Sequence, residues 1–365
     1  MRDDSADFRA LFLKKVPLLD TRAPIEFQRG AFPMATNLPL MTDSERHQVG
    51  IAHKAEGQDA AIALGHKLVS GLDREERVAL WCAYAKAHPD GFLYCFRGGL
   101  RSATAQQWMR EAGTPYPLVK GGYKAMRQFL LNAMEEALEA VPVLLVAGRT
   151  GCGKTRVIES LAQSIDLEGL AQHRGSSFGG LLDPQPAQID FENALSIDLL
   201  RRHSLGVYRL VMEDEGKLVG RIYLPLSLRK RMEGAARVVV EESIEQRTEI
   251  IYQDYIVELA GRYAQRDVAT AAEHHRQHLQ QGLARIRKRL GGARHQALEA
   301  KMQSAFDQGD AALHRAWISD LLRQYYDPMY DYQMAQREGE IVYQGNRSAV
   351  TEFLTQHLNR DGVQV

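Results

Sequence analysis

Short apolar runs alternate with helical patterns along the chain and predict an α/β fold. Val143–Ala147 is a continuous apolar run of the kind that a parallel sheet buries on both faces. Further strands are expected at Val207–Met212 and Arg237–Val240, and helices at Gln188–Arg202 and Ser243–Tyr263. This order of elements predicts a parallel sheet flanked by helices in the second half of the chain.

The same alternation nearer the N-terminus predicts a separate α/β unit. Val16–Asp20 and Gly91–Cys95 are expected to be strands, and apolar residues at helical spacing predict a helix over Arg74–Ala87. A second helix is predicted at Ser102–Glu111, with its first residue as the N-cap, followed by a strand at Tyr116–Val119. The N-terminal half therefore has enough strands for a sheet of its own.

A chain of 365 residues is long enough for about two domains, each with its own core. Residues 1–130 are predicted to form the first domain, 131–141 a helical connector and 142–270 the second domain. Residues 271–365 are predicted to form a mostly helical C-terminal region.

Charge and composition narrow the class of protein. The chain has 46 basic and 46 acidic side chains, so it is not basic overall. Its apolar runs fall short of the ~20 residues that cross a bilayer. The acidic segment from Met1 to Asp7 lacks the basic and apolar regions of a signal peptide. We therefore expect a cytoplasmic protein with no membrane partner. Cys82, Cys95 and Cys152 are too few and too scattered for a disulfide framework.

A phosphate-binding motif follows the apolar strand at residues 143–147. The run from Gly148 to Thr155 matches G-x-x-x-x-G-K-[ST], with Gly151, Gly153 and Lys154 at the expected places. Glycines allow successive backbone N–H groups to surround phosphate oxygens, the lysine adds positive charge, and the threonine hydroxyl can reach Mg²⁺. The ligand is expected to be a diphosphate or a triphosphate.

A carboxylate is expected beside this loop to orient the metal. The strand ending at Met212 leads into Glu213-Asp214-Glu215, and we favour Asp214 slightly over Glu213. The motif leaves the reaction open, because the same loop serves hydrolysis, phosphoryl transfer or the holding of a diphosphate leaving group. Cys152, inside the loop, is expected to be a small filler residue.

A second loop is predicted to activate a thiol. Cys95 ends a short strand and precedes Gly98-Gly99 and a helix, with Arg97 and Arg101 nearby. Backbone N–H groups, the positive end of the helix and the arginine charge would all favour a thiolate. A reactive thiol is thus preferred over a buried core thiol, whereas Cys82 lies on the apolar stripe of a helix and is expected to pack.

The surroundings of this loop resemble a rhodanese domain. Asp20–Phe27 and Asn37-Leu38-Pro39 are similar to the opening of that domain, and Lys120–Tyr123 is similar to its closing element. Cys95 then falls at the sulfur-carrying position. The five residues that separate it from Arg101 are one more than in ordinary sulfurtransferases and equal the Cys-x₅-Arg loop of cysteine phosphatases. Phosphatase chemistry therefore remains an alternative for the loop alone.

The order of the motifs resembles that in tRNA 2-selenouridine synthases, and the resemblance extends over nearly the whole chain. Besides the two loops, it includes four segments: His173–Gly179, Phe191–Asn193, Glu213–Glu215 and Tyr325–Tyr330. The fold that this resemblance implies is a rhodanese-like domain followed by a P-loop domain with a parallel sheet.

This resemblance implies a bacterial enzyme acting on tRNA with 2-thiouridine at the wobble position. Such an enzyme attaches a geranyl group from geranyl diphosphate to the sulfur, then replaces the S-geranyl group with selenium from selenophosphate. Lys154 and Thr155 would hold the diphosphate, with Mg²⁺ at Thr155 and Asp214. The Cys95 loop would bind selenophosphate or carry selenium, and a selenophosphate supply enzyme is an implied partner.

Two other classes of protein remain open from the sequence. One is a rhodanese-type sulfurtransferase fused to an ATP-dependent kinase or RNA-thiolation module. The other is a non-catalytic regulator that senses nucleotides and anions, and such a regulator would tolerate replacement of Cys95.

Basic and aromatic residues of the C-terminal region suggest RNA binding. The basic residues Arg285, Arg287, Lys288 and Arg289 form a dense cluster that could follow an RNA backbone. The tyrosines of the segment Tyr325–Tyr332 could stack on an extruded base or pack in a core, and the sequence does not decide between these roles.

A pair of histidines and a glycine-rich segment also have expected roles. His274 and His278 lie on one helical face without a third ligand, so they are expected to be surface histidines. Arg174–Gly180 is predicted to be a mobile loop that closes over the phosphate ligand.

Overall fold

The computed structural model describes residues 2–359, and these form two compact units. Within that span, the first unit comprises the residues up to Glu136 together with Ala187–Arg201. The second comprises Ala137–Pro186 and the residues from Arg202 onward. Each unit contains its own parallel sheet and helices, which confirms the α/β fold class.

Residues 2–140 form seven helices and three short strands. In order they are α1 Phe8–Leu13, β1 Leu18–Asp20, α2 Pro24–Arg29, β2 Ala35–Asn37, α3 Asp43–Glu56, α4 Gln58–Leu68, α5 Gly71–Ala87, β3 Phe92–Tyr94, α6 Leu100–Glu111 and α7 Gly122–Ala140.

The sheet of the first unit has the order β2-β1-β3 and is parallel throughout. Successive residues of its strands face opposite sides, as the pleat requires. Leu18 and Tyr94 join an apolar cluster on one face, whereas Leu19 and Leu93 join a tryptophan-containing cluster on the other. The strand predicted near residue 118 is reduced to an isolated bridge between Leu93 and Leu118.

The remaining elements, up to residue 359, include a five-stranded sheet and a helical C-terminal region. In order they are β4 Val143–Gly148, α8 Lys154–Glu159, β5 Ser164–Ile165, α9 Leu167–Leu170, α10 Gln188–Ser204, β6 Leu210–Glu213, β7 Leu218–Val219, β8 Ile222–Tyr223, α11 Leu226–Glu233, β9 Ala236–Val240, α12 Ile244–Ile251, the π-helix π1 Tyr252–Glu258, α13 Leu259–Arg266, α14 Ala271–Leu290, α15 Gly292–Gln308, α16 Ala311–Leu321, the π-helix π2 Leu322–Tyr326, α17 Asp327–Ala335, β10 Ile341–Gly345 and α18 Arg347–Asn359.

The placement of helix α10 differs from the predicted domain organisation. Most of α10 belongs to the first unit, although the sequence order grouped it with the P-loop domain. Its Asp190 accepts a hydrogen bond from the Ala31 N–H at 2.6 Å, and its Asn193 side chain donates to the Ala31 carbonyl at 2.7 Å. Ile197 and Leu200 pack in the apolar cluster of that unit. The predicted helical connector at 131–141 corresponds to the C-terminal part of α7, and the boundary between the units falls within it, between Glu136 and Ala137.

The sheet of the second unit has the order β10-β9-β4-β6-β5, and all its strands are parallel. The apolar strand β4 therefore lies at the centre, buried along its whole length as predicted. Val146 pairs with Glu213, so the loop after β4 and the acidic residues after β6 emerge at the same edge. This edge is where open α/β sheets bind ligands.

The C-terminal region is mostly helical, as predicted, and its helices α14–α16 share an apolar core with Phe178 and π1. Strand β10 and helix α18 instead join the five-stranded sheet and its core. The single helix expected at Ser243–Tyr263 is interrupted by π1, and a second π-helix separates α16 from α17. π-helical turns often occur at functional sites. In the described part of the chain, no helix is long and apolar enough to cross a membrane.

Candidate functional sites

The phosphate loop connects the central strand β4 to α8. Gly151 and Gly153 have φ angles of +82° and +83°, which residues with a side chain rarely adopt. A side chain at Gly151 would also come within 2.7 Å of Ile251. The backbone N–H groups of Gly151, Gly153 and Thr155 donate no hydrogen bond to another described residue. The loop therefore keeps free donors, as a phosphate-binding loop requires.

Lys154 lies in this loop and remains charged. Its Nζ donates a hydrogen bond to the Gly148 carbonyl at 3.1 Å. Burial alone would lower the pKa of Lys154, but the charges of Cys152, Glu215 and Glu168 outweigh it and raise the pKa. Cys152 is buried in the apolar cluster around β4, which agrees with its predicted role as a filler.

A carboxylate that was not predicted from the sequence, Glu168, contacts the threonine of the loop. The Thr155 hydroxyl donates to Glu168 Oε2 at 3.1 Å. Burial, followed by the charge of Glu168, raises the pKa of Glu215 to about 8. Asp214, the predicted partner, instead forms an ion pair with Arg337 at 2.8 Å. Burial raises the pKa of Asp214 even though this arginine opposes the shift.

Glu213, the other candidate for this role, is buried and accepts a hydrogen bond from the Leu167 N–H at 2.9 Å. Between residues 2 and 359, no group of three or more His, Cys, Asp or Glu side chains is arranged to hold a metal ion.

The loop opens into a cavity of about 1390 Å³ in the second unit. Buried side chains of the helical core also line this cavity. We call this set the apolar wall: Phe178, Leu279, Ile286, Trp317, Ile318, Leu321 and Leu322. These side chains belong to the helical core and are at most 6% exposed, so the cavity borders that core.

The segment Arg174–Gly180, which was expected to be a mobile loop, lines the same cavity but is held at several points. The hydroxyls of Ser176 and Ser177 are 3.3 Å and 2.9 Å from those of Tyr255 in π1 and Tyr326 in π2. Arg174 forms an ion pair with Asp254 at 3.1 Å. The two π-helices therefore hold this segment beside the phosphate loop.

Three of the four predicted RNA-binding residues line the cavity, namely Arg285, Lys288 and Arg289, whereas Arg287 does not. All four are exposed on α14. Arg285, Lys288 and Arg289 are at positions i, i+3 and i+4 and therefore share one helical face, to which Arg287 does not belong. The structure thus places a basic rim at the cavity.

The predicted tyrosines separate into two groups. Tyr325 and Tyr326 are buried in the helical core, whereas Tyr332 is 70% exposed. His274 is exposed, as expected for a surface histidine. His278 is half-buried and forms hydrogen bonds with Tyr263 and the carbonyl of Phe178, so it is not a simple surface residue.

The cysteine loop of the first unit differs from expectation in the exposure of its thiol. Cys95 is 2% exposed, because the start of α7 covers the loop. The Tyr123 N–H donates to the Cys95 carbonyl at 2.9 Å, and a side chain at Gly122 would overlap that carbonyl. Cys95 belongs to neither apolar cluster that flanks it, whereas Cys82 packs against one of them.

A serine that the sequence analysis assigned as a helix cap contacts the thiol. Helix α6 begins at Leu100 with Gly99 as its N-cap, so Ser102 lies inside the first turn. Its hydroxyl donates to the Gly99 carbonyl at 3.0 Å and is 3.2 Å from Cys95 Sγ. The sulfur therefore has a polar neighbour in a buried position.

The backbone above the thiol has the features of an anion-binding loop. The N–H groups from Phe96 to Ser102 donate no hydrogen bond to the described residues. Arg101 is paired with a carboxylate. It donates to both oxygens of Glu26, at 2.6 Å and 3.2 Å. Burial would raise the pKa of Glu26, but Arg101 outweighs it and lowers the pKa. Arg97 is exposed.

Known proteins are similar to this chain over nearly its whole length. A family model described as the tRNA 2-selenouridine synthase AAA domain matches residues 141–361. Relatives named tRNA 2-selenouridine synthase include one from Azotobacter vinelandii that is 53% identical, with 97% of each chain covered. Those from Pseudomonas syringae pv. syringae and Alcanivorax borkumensis are 50% and 49% identical; each match covers 97% of this chain and 98% and 99% of the relative. The chain therefore belongs to the tRNA 2-selenouridine synthase family.

Proposed function

We propose that this protein converts 2-thiouridine at the wobble position of tRNA into 2-selenouridine in two steps. In the first step, the sulfur takes a geranyl group from geranyl diphosphate. In the second, selenium from selenophosphate replaces the S-geranyl group. The names of the relatives support the overall conversion, which is a transferase reaction.

One observation carries the first step, namely that a phosphate loop and an apolar wall share one cavity. A geranyl diphosphate has a charged end and an apolar chain, so each end finds a matching surface. Lys154 and the free N–H groups of the loop would bind the diphosphate. The apolar wall would bind the geranyl chain, since burial of apolar surface is favourable by about 25 cal/mol per Å².

The sulfur of the base would attack the allylic carbon while the diphosphate departs. Charge that develops on the leaving group is stabilised by Lys154 and by donors already in position, which is the largest contribution in many enzymes. Lys154 and the loop donors would therefore bind the diphosphate in the ground state and stabilise it further as charge develops on it.

A magnesium ion would accompany the diphosphate. Mg²⁺ is commonly held by one or two protein oxygens together with substrate phosphates. The Thr155 hydroxyl and the Glu168 carboxylate offer such a pair, and Asp214 lines the same cavity beside Arg337. When bound, the ion would neutralise charge on the departing diphosphate.

The cysteine loop supports the second step. Selenophosphate is a tetrahedral anion, and unpaired N–H groups at the start of α6 suit such a group. Arg101, fixed by Glu26, adds positive charge at this loop. Cys95 lies beside these groups with Ser102 as its hydrogen-bonding neighbour, so a bound selenophosphate would be held close to its sulfur.

The tRNA would contact the basic rim of the second unit. Arg285, Lys288 and Arg289 line the cavity that holds the proposed donor, so phosphates of the RNA backbone bound there would keep the wobble base nearby. Most of the affinity in such contacts comes from the phosphate backbone and decreases with salt.

A binding experiment tests the assignment of the donor. Calorimetric titration with geranyl diphosphate, inorganic diphosphate and ATP, each with Mg²⁺, should give the tightest binding for geranyl diphosphate. Lys154→Ala should weaken binding of geranyl diphosphate by about tenfold or more, which corresponds to ~1.4 kcal/mol. Tighter binding of ATP with ATP turnover would instead support a kinase or thiolation module.

A further inference from the structure

Tyr330 lines the cavity of the second unit, and its hydroxyl group has no partner within residues 2–359. The hydroxyl is buried, and none of the described residues forms a hydrogen bond with it. Buried polar groups are normally paired, so an unpaired hydroxyl at a ligand cavity suggests that its partner is the ligand. Burial raises the pKa of Tyr330 to about 12, so the phenol keeps its proton.

Helix α17 is fixed so that Tyr330 faces the phosphate loop. Asp327 and Asp331, at i and i+4, lie on the same helical face as Tyr330 at i+3. Asp327 pairs with Arg247, and Asp331 pairs with Arg149 of the loop at 2.6 Å.

Arg247 connects this face to the loop backbone. Its Nε donates to the Thr150 carbonyl at 2.9 Å while its other nitrogens hold Asp327. Tyr330 is therefore placed between two anchors to the phosphate loop. Its hydroxyl lies near enough to Lys154 for the two groups to interact electrostatically.

We propose that Tyr330 is a catalytic residue of the prenyl-transfer step, in which its hydroxyl donates a hydrogen bond to the departing diphosphate. This inference rests on the function proposed above. A bond forms between the sulfur of 2-thiouridine and the allylic carbon of the donor. The carbon–oxygen bond to the diphosphate breaks, and its electron pair leaves with the diphosphate. The N3 proton of the base passes to solvent, and Tyr330 keeps its own proton throughout.

This role differs from base stacking, the alternative that the sequence left open for Tyr330. A stacking role depends on the ring, whereas leaving-group stabilisation depends on the hydroxyl. Tyr330→Phe removes only the hydroxyl and therefore separates the two roles. Because that hydroxyl is unpaired in the folded protein, its removal should leave the melting temperature equal or higher.

The test is single-turnover geranylation of a 2-thiouridine anticodon stem-loop by the full-length protein. Tyr330→Phe should slow the chemical step by about 10- to 100-fold while weakening donor binding much less. Tyr343→Phe is a matched control, because Tyr343 stacks on Phe353 in the same unit and does not line the cavity. That control should react at the wild-type rate.

Two results would overturn the inference. An unchanged single-turnover rate in Tyr330→Phe would show that the hydroxyl does not assist the reaction. A slower reaction accompanied by a lower melting temperature would indicate that the hydroxyl has a structural role. If the wild-type protein itself transferred no geranyl group, the proposed function would fail, and this inference would fail with it.

Discussion

Arg247 and Asp327 form a buried, bidentate ion pair that joins the phosphate loop to helix α17. The guanidinium donates to the two carboxylate oxygens at 3.1 Å and 2.5 Å. Its side chain is 2% exposed, and its third contact is the Thr150 carbonyl. The position of the tyrosine-containing helix is therefore linked directly to the conformation of the loop.

Loss of this pair should affect both stability and donor binding. Asp327→Asn leaves the buried arginine without its counter-charge, and breaking such a pair typically costs about 3–5 kcal/mol. Glu249→Gln is the matched control, since Glu249 also holds an arginine, Arg315, with both oxygens but at the surface. The control should cost less than about 1 kcal/mol in urea denaturation. Equal losses in the two variants would contradict the structural role assigned to Asp327.

Two glycines in helices of the C-terminal region should respond in opposite directions to alanine. Gly282 of α14 lies directly against the ring of Phe178, so a methyl group there would displace part of the apolar wall. We expect Gly282→Ala to destabilise the protein by about 1–3 kcal/mol. Gly261 of α13 has open space around it, so Gly261→Ala should stabilise by up to about 1 kcal/mol. Thermal denaturation measures both, and a gain for Gly282→Ala would contradict the packing described.

The two loops should be separable by mutation because they lie in different units. Cys95→Ala is expected to abolish selenium incorporation into tRNA while leaving geranylation measurable. Cys82→Ala is the control, because Cys82 packs against the apolar core and contacts neither loop. Mass analysis of nucleosides detects both products. Equal loss of both reactions in Cys95→Ala would refute this division of labour.

The basic rim should bind RNA more strongly than the other side of the same helix. Arg289→Ala removes a residue that lines the cavity, whereas Arg287→Ala removes an exposed arginine that does not. We expect the larger loss of tRNA affinity for Arg289→Ala. The slope of log affinity against log salt concentration should also decrease by about one, because one phosphate contact is lost. Filter binding over a range of salt concentrations tests this. A larger effect of Arg287→Ala would place the RNA elsewhere.

Local sequence patterns were sufficient for the phosphate loop and its strand. The glycines, Lys154 and the apolar run before them are adjacent in sequence, and the structure places them as predicted. Ser102 was misassigned because serine is a frequent N-cap, whereas here Gly99 is the N-cap and its carbonyl accepts the serine hydrogen bond. The edge strand β10 was missed because most of its residues are exposed, so it lacks an apolar run.

Contacts between distant segments could not be predicted in the same way. Glu26 and Arg101 are 75 positions apart, and nothing near either residue indicates their pairing. Glu168 follows a strand of two residues, too short for a recognisable pattern. Helix α10 belongs to the first unit because its apolar face packs there. The periodicity of the sequence predicts an apolar face but does not specify the surface that it contacts.

The most direct test of the two-step account follows the fate of one nucleoside. Purified protein is incubated with an anticodon stem-loop that carries 2-thiouridine at the wobble position, first with geranyl diphosphate and Mg²⁺ and then with selenophosphate. Mass spectrometry should detect S-geranyl-2-thiouridine after the first addition and 2-selenouridine, at the expense of the geranylated nucleoside, after the second. Formation of 2-selenouridine at full rate without geranyl diphosphate, or no reaction of the thiolated RNA with either donor, would contradict the account.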